Sequence, residues 1–135
     1  MEGRRQVMEI PSSVGAIHRV QTAVHEVMKR FGYDDDACFA VKLAIEESIV
    51  NAMKHGNKFD PERSVHVRYD VDDRQVRVCI KDEGRGFDPR TVPDPTREEN
   101  LTKPHGRGIM LMRAYMDTVA YSDCGTEVTM IKRKR

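Results

Sequence analysis

Residues 34–56 read DDDACFAVKLAIEESIVNAMKHG, and every other segment is placed by reference to them. Cys38, Val41, Ala44, Ile45, Ile49 and Ala52 recur at helical spacing, which predicts a helix with one stripe facing a core. Asp34, Asp35 and Asp36 supply N-cap oxygens and negative charge at the positive end, and Gly56 supplies the stop. Glu47 and Asn51 are one helical turn apart, so their side chains stand one above the other. They flank the stripe on a line shared with Leu43 and Val50. A carboxylate and an amide at the edge of a buried face are placed to hold something. Taken alone, they also fit an ordinary solvated helix face, with Glu46 pairing Lys42.

Upstream, Val7 to Ile10 is a short apolar stretch stopped by Pro11, an expected edge strand. Ser12 or Ser13 then caps a first helix carrying Val14, Ile17, Val20, Val24, Val27, Met28 and Phe31 on one face, and Gly32 ends it. His18 and His25 have no ligand partners at metal spacing and read as surface residues. Downstream, residues 57–61 form a turn. Val65, Val67, Tyr69 and Val71 alternate with polar residues, as do Val76, Val78 and Ile80, which predicts a hairpin. Asp82 continues the parity of Val76, Val78 and Ile80 and therefore points to the buried face. There a carboxylate is costly unless it accepts hydrogen bonds.

Gly84-Arg85-Gly86-Phe87 follows at once, and two glycines allow close approach of a ligand. Residues 88–105 have little strand or helix pattern and read as a lid loop. Gly106-Arg107-Gly108 opens a helical run from Ile109 to Met116, and such an opening exposes backbone N–H groups to an anion. Val119 and Tyr121 suggest a strand. Thr126, Val128 and Met130 form the inward row of the last one, with Thr126 a polar residue at its end.

The 135 residues are enough for a single domain spanning 1–135 with a real core. A net charge of +1 argues against a general nucleic-acid or membrane surface, and the basic Lys132-Arg133-Lys134-Arg135 reads as a solvated tail. Cys38, Cys79 and Cys124 lie far apart with no CxxC, which fits reduced thiols in a cytoplasmic protein. No stretch reads as a signal peptide or a bilayer span.

The expected fold is α+β: a two-layer sandwich with a mixed, mostly antiparallel sheet and helices on one face. Glu47, Asn51, Asp82, the glycine clusters and Thr126 would then line one pocket under the lid. An inward carboxylate reads an exocyclic amine, glycine N–H groups hold phosphates, and an amide oxygen suits Mg²⁺. This is a nucleotide site without a P-loop, since no GxxxxGK[ST] is present.

These segments resemble the boxes of the ATPase superfamily of gyrase, the heat-shock chaperone, histidine kinases and mismatch-repair proteins, with its Bergerat-type fold. Glu47 to Gly56 resembles the N box, Asp82 to Phe87 the first glycine box, Gly106-Arg107-Gly108 the second, and Gly125-Thr126 the turn before the last strand. Within that superfamily, the whole chain is most similar to bacterial anti-sigma factors that are serine/threonine protein kinases.

The resemblance implies ATP and Mg²⁺ as cofactors. Asn51 would ligate the metal, with Lys54 and His55 as phosphate contacts or plain surface residues. Asp82 would accept from the adenine amine, helped by Thr126. Gly84 and Gly86 would shape the adenine wall, and Gly106, Arg107 and Gly108 would cover the phosphates. Glu47 would be the catalytic base, with Glu46 as its competitor. The implied partners are a sigma factor and a STAS-type anti-anti-sigma protein that the chain phosphorylates. A second copy of the chain is a further candidate partner, and nucleic acid and membrane are not expected. The first helix, with Arg19 exposed near its start, is either a docking face for these partners or an ordinary solvated face. The alternatives are a non-catalytic ATP-binding interaction module and the catalytic domain of a histidine-kinase-type enzyme.

Overall fold

The computed structural model describes residues 3–84, 112–122 and 125–135. Helix α2 (Asp35–Asn51) forms on the apolar stripe, and Cys38, Val41, Ala44, Ile45, Ile49 and Ala52 are all buried. Asp34 is its N-cap, with Oδ1 accepting from the Ala37 N–H at 2.8 Å. That bond satisfies one of the four N–H groups a helix start leaves unpaired.

Gly56 is not the stop. After Asn51 the backbone widens into a π-helical turn over Ala52–Gly56, closed by Asn57 N–H donating to Ala52 O at 2.7 Å. The left-handed residues that turn the chain away are Lys58 (φ 52°) and Phe59 (φ 57°).

Helix α1 (Val14–Arg30) buries Ile17, Val20, Val24 and Met28 against the rest of the core. Ser13 occupies its N-cap without a side-chain bond, and Val14 is exposed because the buried stripe starts at Ala16 and Ile17. At the other end Gly32 (φ 80°) donates to Lys29 O and Tyr33 N–H to Met28 O, each at 3.1 Å. This double bond pattern is a Schellman stop, which needs a left-handed residue where Gly32 sits. Gln21, buried on α1, donates to Lys42 O at 3.0 Å and joins the two helices.

Five strands form the other layer: β1 (Arg4–Pro11), β2 (Ser64–Val71), β3 (Gln75–Lys81), β4 (Thr118–Tyr121) and β5 (Glu127–Arg133). Their order is β1-β2-β3-β5-β4, and each of the four pairings is antiparallel. The sheet is thus antiparallel throughout its described strands, with β1 at one edge. The hairpin turn is held by Asp72, whose Oδ1 accepts from Arg74 N–H at 2.7 Å and Gln75 N–H at 2.8 Å. The inward rows Val65, Val67, Tyr69, Val71 and Val76, Val78, Ile80 meet Val128 and Met130 beneath the helices. Residues 112–115 are helical, and Met112 and Met116 join the core. No helix among the described residues is long and apolar enough to cross a membrane.

Ile45 and Glu46 are neighbours on opposite sides of the packing boundary, the first with no exposure and the second exposed. Ile45→Ala should cost about 2–5 kcal/mol through lost burial and a cavity. Glu46→Ala should stay within about 0.5 kcal/mol. Urea unfolding of both variants checks the difference as a shift in midpoint.

Candidate functional site

Asp82 follows the last residue of β3 and is 7 % exposed, as its parity requires. Its backbone N–H donates to Thr126 O at 2.9 Å, extending the β3–β5 ladder by one bond. Its Oδ1 accepts from Gly84 N–H at 2.8 Å. Burial pushes the Asp82 carboxyl above the ordinary carboxylate range, and the Gly84 N–H and the charge of Arg63 only partly offset this.

The π turn delivers Gly56 against this carboxylate. A Cβ on Gly56 would overlap the Asp82 side chain, and a Cβ on Gly84 would overlap the Gly56 carbonyl. Glycine at both positions is what lets the end of α2 touch the end of β3. Asn57 locks the contact. Fully buried, its Oδ1 accepts from Glu83 N–H at 2.7 Å and its Nδ2 donates to Ser64 O at 2.9 Å.

One and a half turns earlier on the same helix, Asn51 is half-buried and hydrogen-bonded to Tyr121 on β4. Burial raises the Tyr121 phenol to about 12, and Arg113 and the Asn51 bond pull the other way. Both the Asn51 amide and the Tyr121 hydroxyl can donate and accept, and the bond ties the side chain of α2 to the strand. Tyr121 pairs with Val128, two residues past Thr126. Asn51, Tyr121, Thr126 and Asp82 therefore lie at the same end of the molecule. Glu47 is half-buried, and its carboxyl is pushed up first by burial and then by Glu46. Glu46 itself is exposed.

A pocket of about 420 Å³ is lined by His66, Lys81, Asp82, Glu83, Gly84 and Thr126. It gathers Asp82, Gly84 and Thr126 from the expected set, and its lining does not include Glu47 or Asn51. Lys54 and His55 are exposed on the π turn. Gly86, Gly106, Arg107, Gly108 and the lid at 88–105 lie outside the described residues.

The profile of the family described as the histidine kinase-like ATPase domain matches residues 10–132. The chain belongs to this family. Among curated proteins this ATPase domain is similar to the serine-protein kinase RsbW of Bacillus subtilis (strain 168), 28 % identical over 135 residues, covering 93 % of this chain and 82 % of that one. It is also similar to the serine-protein kinase RsbW of Staphylococcus epidermidis, 27 % identical over 133 residues, covering 93 % and 84 %. Among solved structures it resembles the RsbU and RsbW domains of Rv1364c from Mycobacterium tuberculosis, with TM-score 0.65 and 18 % identity. That match covers 98 % of this chain but spans only 32 % of the other, and it speaks to the fold alone.

Three residues of this ATPase domain escaped sequence reasoning. Asn57 looked like turn material, Gly56 like a helix stop and Tyr121 like a strand hydrophobe. The π turn that gives all three their places has no periodic signature. The one available signal was the glycine followed by asparagine at a helix end, which also describes an ordinary cap.

Because its folded pKa is raised, Asp82 supports the fold most below the ordinary carboxylate pKa, and that support is lost as pH rises through the folded value. Asp82→Asn should therefore raise Tm at pH 7 by about 4 °C, the effect of ~1 kcal/mol in a domain of this size. The gap between variant and parent should close as pH falls into the acid range. Thermal unfolding across pH measures it.

Gly84→Ala should lower stability by more than about 1 kcal/mol, since its Cβ meets backbone. Gly15→Ala, in open space in the first turn of α1, should be neutral or stabilising by up to about 1 kcal/mol. Denaturation midpoints of the two variants provide the comparison.

Proposed function

We propose that this chain is an anti-sigma regulatory factor and an ATP- and Mg²⁺-dependent protein kinase. In this reading it phosphorylates a STAS-type anti-anti-sigma protein on serine or threonine and so governs how much sigma factor is free. The observation that carries the reading is the buried Asp82 carboxyl at the same end of the sheet as Asn51, in a chain of the histidine kinase-like ATPase family. Similarity to serine-protein kinases over 93 % of the chain supports the reaction class.

Asp82 is the acceptor for the adenine amine, in a niche that Gly56 and Gly84 keep clear of side chains. Thr126 supports it from β5. The Asn51 carbonyl oxygen suits a hard cation, and the hydrogen bond to Tyr121 restrains the side chain that would carry it. Mg²⁺ held there would neutralise phosphate charge. Lys54 and His55, next along the π turn, contact phosphate, and Gly86 with Gly106, Arg107 and Gly108 completes the wall and cover. Residues 88–105 act as the lid of a single domain spanning 1–135.

Glu47 accepts the proton of the partner's hydroxyl as its oxygen attacks the γ-phosphoryl group, and ADP leaves. Partial burial raises the affinity of Glu47 for that proton, a property the exposed Glu46 lacks. Phosphoryl transfer needs mainly positioning and charge neutralisation, so this small set suffices. The exposed face of α1 around Arg19 docks the protein partners, and a second copy of the chain is a further partner.

ATP with Mg²⁺ at ~100 times its Kd should stabilise the protein by about 2.7 kcal/mol. Asn51→Ala should remove most of that stabilisation. Glu47→Gln should keep it and lower acid-stable transfer from labelled ATP to the partner by about 100-fold or more. Full transfer by Glu47→Gln would move the base role to Glu46 or to no residue at all, no transfer by the parent would leave the chain an ATP-dependent binding module, and no stabilisation by ATP would end the nucleotide reading.

A further inference from the structure

On the sheet face turned away from the helices, three donors from distant parts of the chain come together. Glu9 on β1 is the cross-strand partner of His66 on β2, and Glu83 follows β3. One ligand atom of each lies within 4.8 Å of the others. We propose that Glu9, His66 and Glu83 form a binding site for a borderline divalent cation of the zinc class.

The geometry is held from several sides. Glu83 Oε2 sits 2.6 Å from His66 Nε2, and Glu83 Oε1 accepts from Ser64 N–H at 3.2 Å. The Glu83 backbone N–H is fixed by the buried Asn57. Glu9 and His66 stand on paired strands, so their separation is set by the ladder. A tetrahedral zinc site places neighbouring ligand atoms about 3.4 Å apart, given metal–ligand bonds of ~2.0–2.2 Å. Small rotations of three half-exposed or exposed side chains reach that spacing.

Two carboxylates brought this close repel one another unless a positive charge lies between them, which His66 supplies to Glu83 only when protonated and a metal ion supplies to both when the imidazole is neutral. The other cations at hand are Lys81, cross-strand from His66, and Arg63 near Glu83. Neither can ligate a metal while protonated. One imidazole with two carboxylates selects against Mg²⁺, which prefers an all-oxygen shell, and suits Zn²⁺ with water completing the coordination. The site is thus chemically distinct from the Mg²⁺ position proposed at Asn51, and its occupancy requires no nucleotide.

Calorimetric titration of Zn²⁺ into the full chain, in nucleotide-free and chelator-treated buffer, tests the site. One equivalent should bind, and excess Mg²⁺ should not displace it. Glu9→Gln and His66→Gln should each weaken it about tenfold or more, while their Tm in chelator stays within ~2 °C of the parent. X-ray absorption of the loaded protein should show nitrogen and oxygen neighbours at about 2.0–2.2 Å. Unchanged zinc affinity in both variants, sulfur in the shell, or displacement by Mg²⁺ would each overturn the proposal.

Discussion

The Asn57 amide is the joint on which this end of the molecule depends. It has no exposed surface, yet both lobes of its amide are bonded, one to the start of β2 and one to the residue after Asp82. A buried amide stripped of either partner would leave a polar group unsatisfied, at about 1–3 kcal/mol. The π turn exists to bring Asn57 to this place: the Ala52 carbonyl waits one residue longer for its donor, and the chain gains the offset it needs. Widened helical turns of this kind are often found at functional sites, for the same geometric reason. With the joint made, Gly56 and Gly84 come into backbone contact and the Asp82 side chain packs against Gly56 while still lining the pocket.

The charges divide into two kinds. Surface pairs such as Arg5–Asp70 at 3.1 Å and Arg135–Asp117 at 2.6 Å are solvent-screened and contribute little to stability. Asp82, Glu47 and Tyr121 are different, because burial is the largest influence on each of them. The fold bears a cost to keep these two carboxyls partly dehydrated. A desolvated carboxylate discriminates among ligands more sharply than a hydrated one, since an unmatched partner leaves it unpaired.

Much of the architecture could be read from period alone. The stripe of α2, the alternation of β2 and β3 and the stop at Gly32 are local signals, and each appears in the structure where its residues put it. The inward turn of Asp82 came from the same parity rule. Strand order was not legible, because nothing in β5 says that it lies between β3 and β4. The Asn51–Tyr121 bond was hidden for the same reason, joining residues that only the finished topology makes neighbours. Gly56 was misjudged because a glycine after a helix normally frees the backbone, whereas here it frees space for Asp82. The second glycine box and the lid rest on residues outside those described.

The position of β5 has a consequence for synthesis. Strand β5 is interior to the described sheet, inserted between a neighbour from the middle of the sequence and one made just before it. While β5 is still inside the ribosome, β1, β2 and β3 can pair, but β4 has no strand to join. The ladder bond from Asp82 to Thr126 must also wait. A nascent chain is therefore unable to assemble the Asp82 pocket early, and premature termination before β5 yields a protein that cannot close its sheet.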